Sequence, residues 1–322
     1  MTDELEEAQL GPLGTELGRG GQAVVHLLPE LQLPDVAGSL VYKRYFGQQS
    51  APHGLRAIVR VRSALDQRGR ERLDTIASWP ARVVRKDGVV VGVVMPLIHE
   101  SFFQKRVLPG SGRAVNDPRE VQNLFVEPSL AVRLGMPPVT TADRLAFCRD
   151  FAGALAFLHG RGVVFGDVNA KNALFRRAPE PTVMLVDCDA VRIKGSAAVV
   201  RQLSAPDWAP PEGTILTQAT DVYKLGLFVL RALTPGPQAS TARDPDRLRE
   251  LFDPAGQQLL RATLGENAQD RPRSAEWYAY LAKQTPQRRH TVVARKQSEP
   301  ARRTTTSGWR RNRTTGGWER AT

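Results

Sequence analysis

The stretch FGDVNAKNALF, residues 165–175, places a short polar segment between two apolar ends. Within it, Asp167 is followed five positions later by Asn172, with Asn169 and Lys171 between them. A loop with this spacing can present a carboxylate to an acceptor hydroxyl and an amide oxygen to a hard metal ion. An ordinary polar turn explains the same composition, so the surrounding residues must distinguish the two interpretations.

The segments on either side of this stretch have regular patterns. Before it, apolar residues recur at helical spacing over residues 141–159, and Gly160 and Gly162 mark the end of the predicted helix. After it, the apolar run at 182–186 predicts a strand that ends at Asp187. Asp187 offers the anionic oxygen that Mg²⁺ prefers, although an Asx turn or a helix cap at a strand end is the alternative.

Glycine and β-branched residues dominate the N-terminal part of the chain. Residues 18–25 read G-x-G-x-x-A-x-V between two strand-like segments, and glycine lets a backbone approach phosphate closely. The predicted strand at 39–46 contains Lys43, whose ammonium suits phosphate oxygens or, alternatively, simply reaches solvent from the strand. Asp87-Gly88 between two β-branched runs predicts a hairpin.

Strands in the first part of the chain and helices in the second predict an α+β fold. Residues 54–78 are expected to be mainly helical. Prolines and glycines interrupt residues 99–139, which we expect to form an irregular insertion. Further helices are predicted at 219–233, 245–252, 255–264 and 274–283.

The net charge of +12 on the 322 residues is concentrated at the C-terminal end. Residues 285–322 hold ten Lys or Arg against two Glu, and large aliphatic residues are nearly absent there. Such a composition cannot build a core, so a disordered tail rich in Arg and Thr is predicted. Nucleic-acid binding is expected only of this tail, where Trp309 and Trp318 are available to stack on bases.

Cysteine usage and the apolar runs bear on the compartment. The chain has two cysteines, Cys148 and Cys188, which favours a reducing compartment over a disulfide framework. The acidic start lacks the basic and apolar pattern of a secretory signal, and no apolar run approaches the roughly 20 residues of a spanning helix. We therefore expect a cytoplasmic protein without a membrane partner, with residues 1–11 forming an acidic extension outside the folded domain.

Together, the loop at 165–172, the aspartate at 187, the strand lysine at 43 and the glycine-rich segment resemble the signature set of eukaryotic-type Ser/Thr protein kinases. The resemblance covers residues 12–284. It implies a bilobal protein-kinase-like fold, with a β-rich N-lobe over residues 12–97 and a helical C-lobe over residues 98–284.

The resemblance also implies a chemistry and a set of site residues. ATP and Mg²⁺ are the implied cofactors, and a Ser or Thr of a protein is the implied substrate. In the family pattern, Asp167 and Lys43 are the catalytic residues, and Asn172 and Asp187 are the metal ligands. The residues implied to contact the nucleotide are Gly18, Gly20, Val25, Lys43, Met95 and Leu97.

Later motifs carry the same resemblance. Ala209-Pro210-Pro211-Glu212 resembles the Ala-Pro-Glu that closes the kinase activation segment, and residues 221–226 resemble the start of the long C-lobe helix. Arg271 matches the late arginine that pairs with the glutamate of that motif. We therefore predict an ion pair between Glu212 and Arg271.

The chain departs from the kinase pattern within its loops. Phe165-Gly166 stands where the family has His-Arg, so the arginine that receives an activation-loop phosphate is missing. Asn169 replaces the usual lysine two positions after the aspartate, and Lys171 lies nearby. Cys188-Asp189 replaces the Phe-Gly that follows the metal-binding aspartate.

An acidic helix residue that pairs with Lys43 is harder to identify. Residues 52–65 contain no Asp or Glu. The candidates that remain are Asp66, Glu71 and Asp74, of which Glu71 is the one we favour.

The departures leave other functions open. A nucleotide-binding pseudokinase scaffold fits the altered loop, although the four retained site residues, Lys43, Asp167, Asn172 and Asp187, favour activity. A small-molecule phosphotransferase on the same fold is a further alternative, against which the motif at 209–212 argues. The Arg-Thr segments at 302–306 and 313–315 are candidate sites of self-phosphorylation.

Overall fold

Apolar side chains of the N-terminal strands cover both faces of one sheet. Packing on these two faces builds the first half of the fold. The computed structural model describes residues 2–47, 54–107, 112–193, 206–213 and 215–285, and the backbone of 309–311 and 318–320. The sheet strands are β1 (Glu4–Glu6), β2 (Glu16–Arg19), β3 (Ala23–Leu28), β4 (Leu40–Tyr45), β5 (Arg82–Lys86) and β6 (Val89–Pro96).

The strand order in this sheet is β1-β5-β6-β4-β3-β2. Neighbours are antiparallel except β1 and β5, which run parallel. The predicted hairpin between β5 and β6 is confirmed, with positive φ at both Asp87 and Gly88 as a tight two-residue turn requires.

Residues near the N terminus belong to this sheet, so the prediction of an acidic extension outside the domain is wrong for them. Strand β1 pairs with β5 along its whole length, and Leu10 is buried with Val84 and Val94 on one sheet face. The acidic residues did not prevent pairing, because Glu4 binds Arg56 and Arg85 and Glu7 binds Lys86.

Residues 54–78 are mainly helical, as predicted, and contain two helices. They are α1 (Leu55–Ser63) and α2 (Gln67–Ile76). The break comes at Asp66, whose side chain accepts a hydrogen bond from the Gly69 amide and so caps α2. Apolar residues of both helices pack beneath the sheet, with Val59 and Leu73 in its main core.

The predicted irregular insertion contains short regular elements. Its strands β7 (Phe103–Val107) and β8 (Ala114–Pro118) form an antiparallel hairpin, and helix α3 (Pro128–Arg133) follows. The prolines sit where they are tolerated: Pro118 ends a strand, and Pro128 opens a helix, where a backbone N–H has no helical partner. Proline content therefore limited the length of these elements without preventing them.

The C-terminal part is mainly helical, as predicted. Helix α4 (Thr141–His159) begins at a capping box in which Thr140 and Asp143 bond each other's backbone amides. Residues 245–252 do not form the predicted α-helix; a 3₁₀ helix spans Pro245–Leu248 instead. The remaining elements are β9 (Val163–Val164), β10 (Ala173–Arg176), β11 (Thr182–Leu185), β12 (Arg192–Ile193), α5 (Gln218–Leu233), α6 (Pro254–Leu264) and α7 (Ser274–Gln284).

Helix α5 lies at the centre of this part. From Thr220 to Leu233 every residue is buried, which is the pattern of a helix packed on all sides. Its Phe228 contacts Phe151 of α4 edge-to-face, and the same core continues to Val83 in the N-terminal sheet. The α+β prediction, with a β-rich N-terminal sheet followed by helices, is therefore confirmed.

Two short strands lie within the tail that composition predicts to be disordered. They are β13 (Trp309–Arg311) and β14 (Trp318–Arg320), which pair antiparallel. Trp318 also pairs with Asn116 of β8, giving the sheet order β13-β14-β8-β7. The open edge of the β7/β8 hairpin offers unpaired backbone groups to these segments. Within the predicted tail, regular structure is thus described for these two segments, and the candidate self-phosphorylation segments lie outside the described residues.

Within the described part of the chain, every helix is too short or too polar to cross a bilayer.

Candidate active site

One row of cross-strand neighbours brings several predicted site residues to the same face of the N-terminal sheet. Gly18 pairs with Val25, Val25 pairs with Lys43, and Lys43 pairs with Val93. Directly paired residues share a face, and residues two apart on one strand share it too. Met95 follows Val93 by two positions and lies on the same face, and the exposed Leu97 comes directly after the strand ends at Pro96.

The turn between β2 and β3 contains glycines that neither its conformation nor its packing requires. Gly20 and Gly21 do not adopt positive φ. A Cβ at Gly21 would meet nothing within 4 Å, and one at Gly20 would only touch the Ala23 carbonyl oxygen at 4.0 Å.

Lys43 binds two carboxylates from the segment that follows β11. Its Nζ donates hydrogen bonds to Asp189 Oδ1 at 2.8 Å and to Asp187 Oδ1 at 3.1 Å. Burial alone would lower the pKa of Lys43, but the charges of Asp189 and Asp187 outweigh burial and raise this pKa above its usual value. The ammonium therefore stays charged, although it is largely enclosed.

The two aspartates differ in their surroundings. The Asp187 side chain is 63% exposed, whereas that of Asp189 is 3% exposed. Asp189 also accepts a hydrogen bond from the hydroxyl of Tyr45, which lies two residues after Lys43 on the same strand face. Asp187 has φ 58 and ψ 37, a left-handed conformation that is uncommon outside glycine.

The strand before Asp187 is fixed from both sides. Leu185 accepts a hydrogen bond from the Ser78 amide at 2.8 Å, and the Val186 amide donates to the Asn172 carbonyl at 2.9 Å. The second bond places the loop of residues 165–172 next to Asp187.

None of the helix acids that were candidates to pair with Lys43 does so, and the expectation for Glu71 is wrong. Asp66 caps α2, Glu71 accepts a hydrogen bond from Gln67 one turn earlier, and Asp74 pairs with Arg62. Each acid is therefore satisfied by a partner within the α1–α2 region.

Within the loop, Asp167 receives two side-chain amides. Asn172 Nδ2 donates to Asp167 Oδ2 at 2.7 Å, and Asn169 Nδ2 donates to Asp167 Oδ1 at 3.0 Å. Asn169 Oδ1 in turn accepts from the amides of Lys171 and Asn172. The predicted Asp–Asn pair is thus brought together, and Asn169 closes the loop around it. Asn172 uses its amide nitrogen here, and its amide oxygen is the group suited to a metal.

Two buried side chains of α5 hold the start of this loop. Asp221 accepts hydrogen bonds from the amides of Phe165 and Gly166, both at 2.7 Å. Lys224, one turn later, donates to the Gly166 carbonyl at 2.7 Å, and burial lowers the pKa of its ammonium. Gly166 has φ 80, so glycine fits this doubly bonded position better than a residue with a side chain.

The predicted ion pair between Glu212 and Arg271 is confirmed. The two guanidinium nitrogens of Arg271 donate to the two carboxylate oxygens of Glu212, both at 2.6 Å. This bidentate geometry, with the Arg271 side chain fully buried, ties the segment before α5 to the segment before α7.

Sequence reasoning missed four residues that shape the site. They are Asp189, Tyr45, Asp221 and Lys224. Each had a weak signal: an acid two positions after Asp187, a polar aromatic on the same strand face as Lys43, and charges within an otherwise apolar helix.

The arrangement suits a metal ion that is shared with a ligand. In the described part of the chain, no three His, Cys, Asp or Glu side chains form a cluster that could hold a metal alone. Mg²⁺ is usually bound through one or two carboxylates together with phosphate oxygens and water. The exposed Asp187 carboxylate and the Asn172 amide oxygen fit that type of site.

No protein-family model matches this chain.

Proposed function

We propose that this protein transfers the terminal phosphoryl group of ATP, with Mg²⁺, to Ser or Thr residues of protein substrates, on a bilobal protein-kinase-like fold. The observation that carries the proposal is the contact of Lys43 on the N-terminal sheet with Asp187, beside a loop that contains Asp167 and Asn172. This contact joins a cation suited to phosphate with a carboxylate suited to Mg²⁺.

The proposed roles follow from charge and exposure. Lys43 keeps its positive charge and holds phosphate oxygens. Asp187 and Asn172 would hold Mg²⁺, which supplies positive charge to the phosphate oxygens when bound. The glycines at 18 and 20, with Val25, Met95 and Leu97, form the face against which the nucleotide lies.

Asp167 orients the acceptor hydroxyl and takes its proton. Each carboxylate oxygen receives one asparagine amide and retains a second lone pair for a hydroxyl donor. The two amides fix the carboxylate plane, so the free lone pairs have a defined direction. Such positioning accounts for much of the catalysis of phosphoryl transfer.

The class of acceptor is argued from the motif at 209–212. Its Glu212 is held by the buried Arg271, which gives the segment before α5 a fixed position. In the family that the sequence resembles, the corresponding segment supports a protein substrate. We further propose that the Arg-Thr segments near the C terminus are among the substrates, so that the protein phosphorylates itself. We also propose that the protein is cytoplasmic and works without a membrane.

A nucleotide-binding pseudokinase scaffold is the second candidate, and one observation favours it. Both oxygens of Asp167 already accept amide hydrogen bonds, so an acceptor hydroxyl would have to share this carboxylate with two donors that are already in place. Such a protein would bind ATP without transferring phosphate.

The test is phosphate transfer from labelled ATP with Mg²⁺, comparing the protein with Asp167→Ala and Asp167→Asn, and mapping any labelled residues. We expect labelling to fall by about 100-fold or more in both variants, because general-base positioning is lost. Binding of a fluorescent ATP analogue should persist in both. Binding without any labelling by the unmodified protein, over a panel of Ser- and Thr-containing acceptors, would contradict transfer and favour the scaffold.

A further inference from the structure

Two carboxylates share the ammonium of Lys43, and their environments suit different tasks. Asp189 is enclosed and bonds Lys43 at 2.8 Å, whereas Asp187 is largely exposed and bonds it at 3.1 Å. An exposed carboxylate can exchange its protein partner for a metal ion with little loss, because water and screening already weaken that pair. A buried carboxylate cannot, because release would leave an unpaired charge away from water.

Both oxygens of the enclosed Asp189 carboxylate accept hydrogen bonds from side chains of one strand. Asp189 Oδ1 accepts from Lys43 and Asp189 Oδ2 accepts from Tyr45, and these two donors project from the same face of β4. Burial and the adjacent Asp189 also raise the pKa of the Tyr45 hydroxyl well above its usual value. In this set Asp189 and Tyr45 are buried and the Lys43 side chain is 17% exposed, and each polar group has a partner.

No other carboxylate of the described chain lies within ion-pair distance of Lys43. The acids of α2 have their own partners, as shown for Glu71 and Asp74. The position of the ammonium is thus set by the segment after β11 and by its own strand.

We propose that Asp189 is the positioning residue that holds Lys43 ready for phosphate, and that this frees Asp187 to bind Mg²⁺. The inference rests on the proposed function and adds a consequence for its regulation. Because the anchor of Lys43 and the metal ligand belong to one short segment, the site forms without any contribution from the acids of helix α2.

The experiment compares Asp189→Asn and Tyr45→Phe with Glu71→Gln, which changes an acid of α2 by the same single charge. Two readouts are measured: the steady-state dependence on ATP and on Mg²⁺, and the rate at which an amine-acylating reagent modifies Lys43, mapped by mass spectrometry. The acylation rate requires neither nucleotide nor catalysis.

For Asp189→Asn we expect kcat/KM for ATP to fall about 10- to 100-fold, the effect of losing a charge-assisted hydrogen bond. The Mg²⁺ concentration for half-maximal rate should rise about 2- to 5-fold, because Lys43 then competes with Mg²⁺ for Asp187. Acylation of Lys43 should speed up about 10-fold, because the ammonium loses the shorter and more enclosed of its two charge-assisted hydrogen bonds. A merely structural role of Asp189 would not shift the Mg²⁺ dependence.

Tyr45→Phe retains the buried carboxylate and its charge, and so keeps the test valid if Asp189→Asn fails to fold. We expect it to change the same quantities in the same direction by smaller factors, with Glu71→Gln matching the unmodified protein. Unchanged acylation of Lys43 in the Asp189 and Tyr45 variants, or an equal effect of Glu71→Gln, would overturn the inference. Faster acylation in a protein that never binds nucleotide would instead support the anchor and remove the proposed function.

Discussion

Gly166 combines a left-handed backbone conformation with hydrogen bonds at both its amide N–H and its carbonyl oxygen. Its amide donates to Asp221 and its carbonyl accepts from Lys224, while φ is 80. Residues with a Cβ are destabilised in this conformation by about 1–2 kcal/mol. Because Asp167 follows directly, a shift of this peptide moves the carboxylate that we propose as the base.

Gly166→Ala should therefore lower both stability and phosphoryl transfer. The control is Gly38→Ala, because Gly38 has φ 84, lies on the surface and would have space for a Cβ. We expect both variants to lose about 1–2 kcal/mol of unfolding free energy in urea. Only Gly166→Ala should also lose phosphoryl transfer, by about 10-fold or more, from a misplaced carboxylate. Equal activity of the two variants would show that the peptide at 166 does not position Asp167.

Among the elements, α1, α2 and the sheet are joined by buried charges as well as by apolar packing. Arg62 of α1 binds two carboxylates, Asp74 of α2 and Asp35, which lies between β3 and β4. Arg82 of β5 also binds Asp35. Burial alone would raise the pKa of Asp35, but hydrogen bonds from Arg82 and Arg62 outweigh it and leave this pKa below its usual value. The position of the helices under the sheet depends on this carboxylate.

Asp35→Asn should destabilise the fold by about 3–5 kcal/mol, because two buried guanidinium groups lose a shared anion. Asp246→Asn is the control, since Asp246 pairs with Arg261 at an exposed site and should cost at most about 1 kcal/mol. Both values follow from urea unfolding at neutral pH.

The comparison of the unmodified protein with Asp35→Asn also predicts how the unfolding free energy depends on pH. The folded pKa of Asp35 lies below its unfolded value, so its stabilisation is complete above about pH 4 and is lost as pH falls through the folded pKa. The gap in unfolding free energy between the unmodified protein and Asp35→Asn should stay constant above about pH 5 and shrink below about pH 4. A gap that grows on acidification would refute the assignment.

At the scale of the whole molecule, a segment near the C terminus pairs with a strand from the middle part of the sequence. Strand β14 adds to β8 through the pairing of Trp318 with Asn116, and β13 lies beyond it. Among the described residues, the main core runs from Leu17 to Leu281. The added strands therefore cover the edge of the β7/β8 hairpin.

Removal of residues 286–322 should leave the unfolding free energy within about 1 kcal/mol of the full chain, because a short added ladder contributes little compared with the core. Hydrogen exchange at β8 should become faster, since its edge loses a partner. Exchange in α5 serves as the internal reference and should not change. Equal exchange at β8 in both proteins would show that the added strands do not form in solution.

The sequence by itself determined the local elements of this protein. Helical periodicity and the stop at Gly160 and Gly162 located α4, and Asp87-Gly88 located the hairpin of the sheet. The sequence also identified Asp167 and Asn172 as members of one loop, because they lie five positions apart between two apolar segments. These features depend on neighbours along the chain, and local patterns therefore predict them.

Only the tertiary structure decided which charges meet. Lys43 and Asp189 are 146 positions apart, and their pairing follows from the stacking of the sheet against the segment after β11. Glu71 was equally acidic in sequence but faces its own helix neighbours. The C-terminal strands likewise required an open edge at β8. Burial of a charge depends on the whole fold, and burial selects Asp189 as the partner of Lys43.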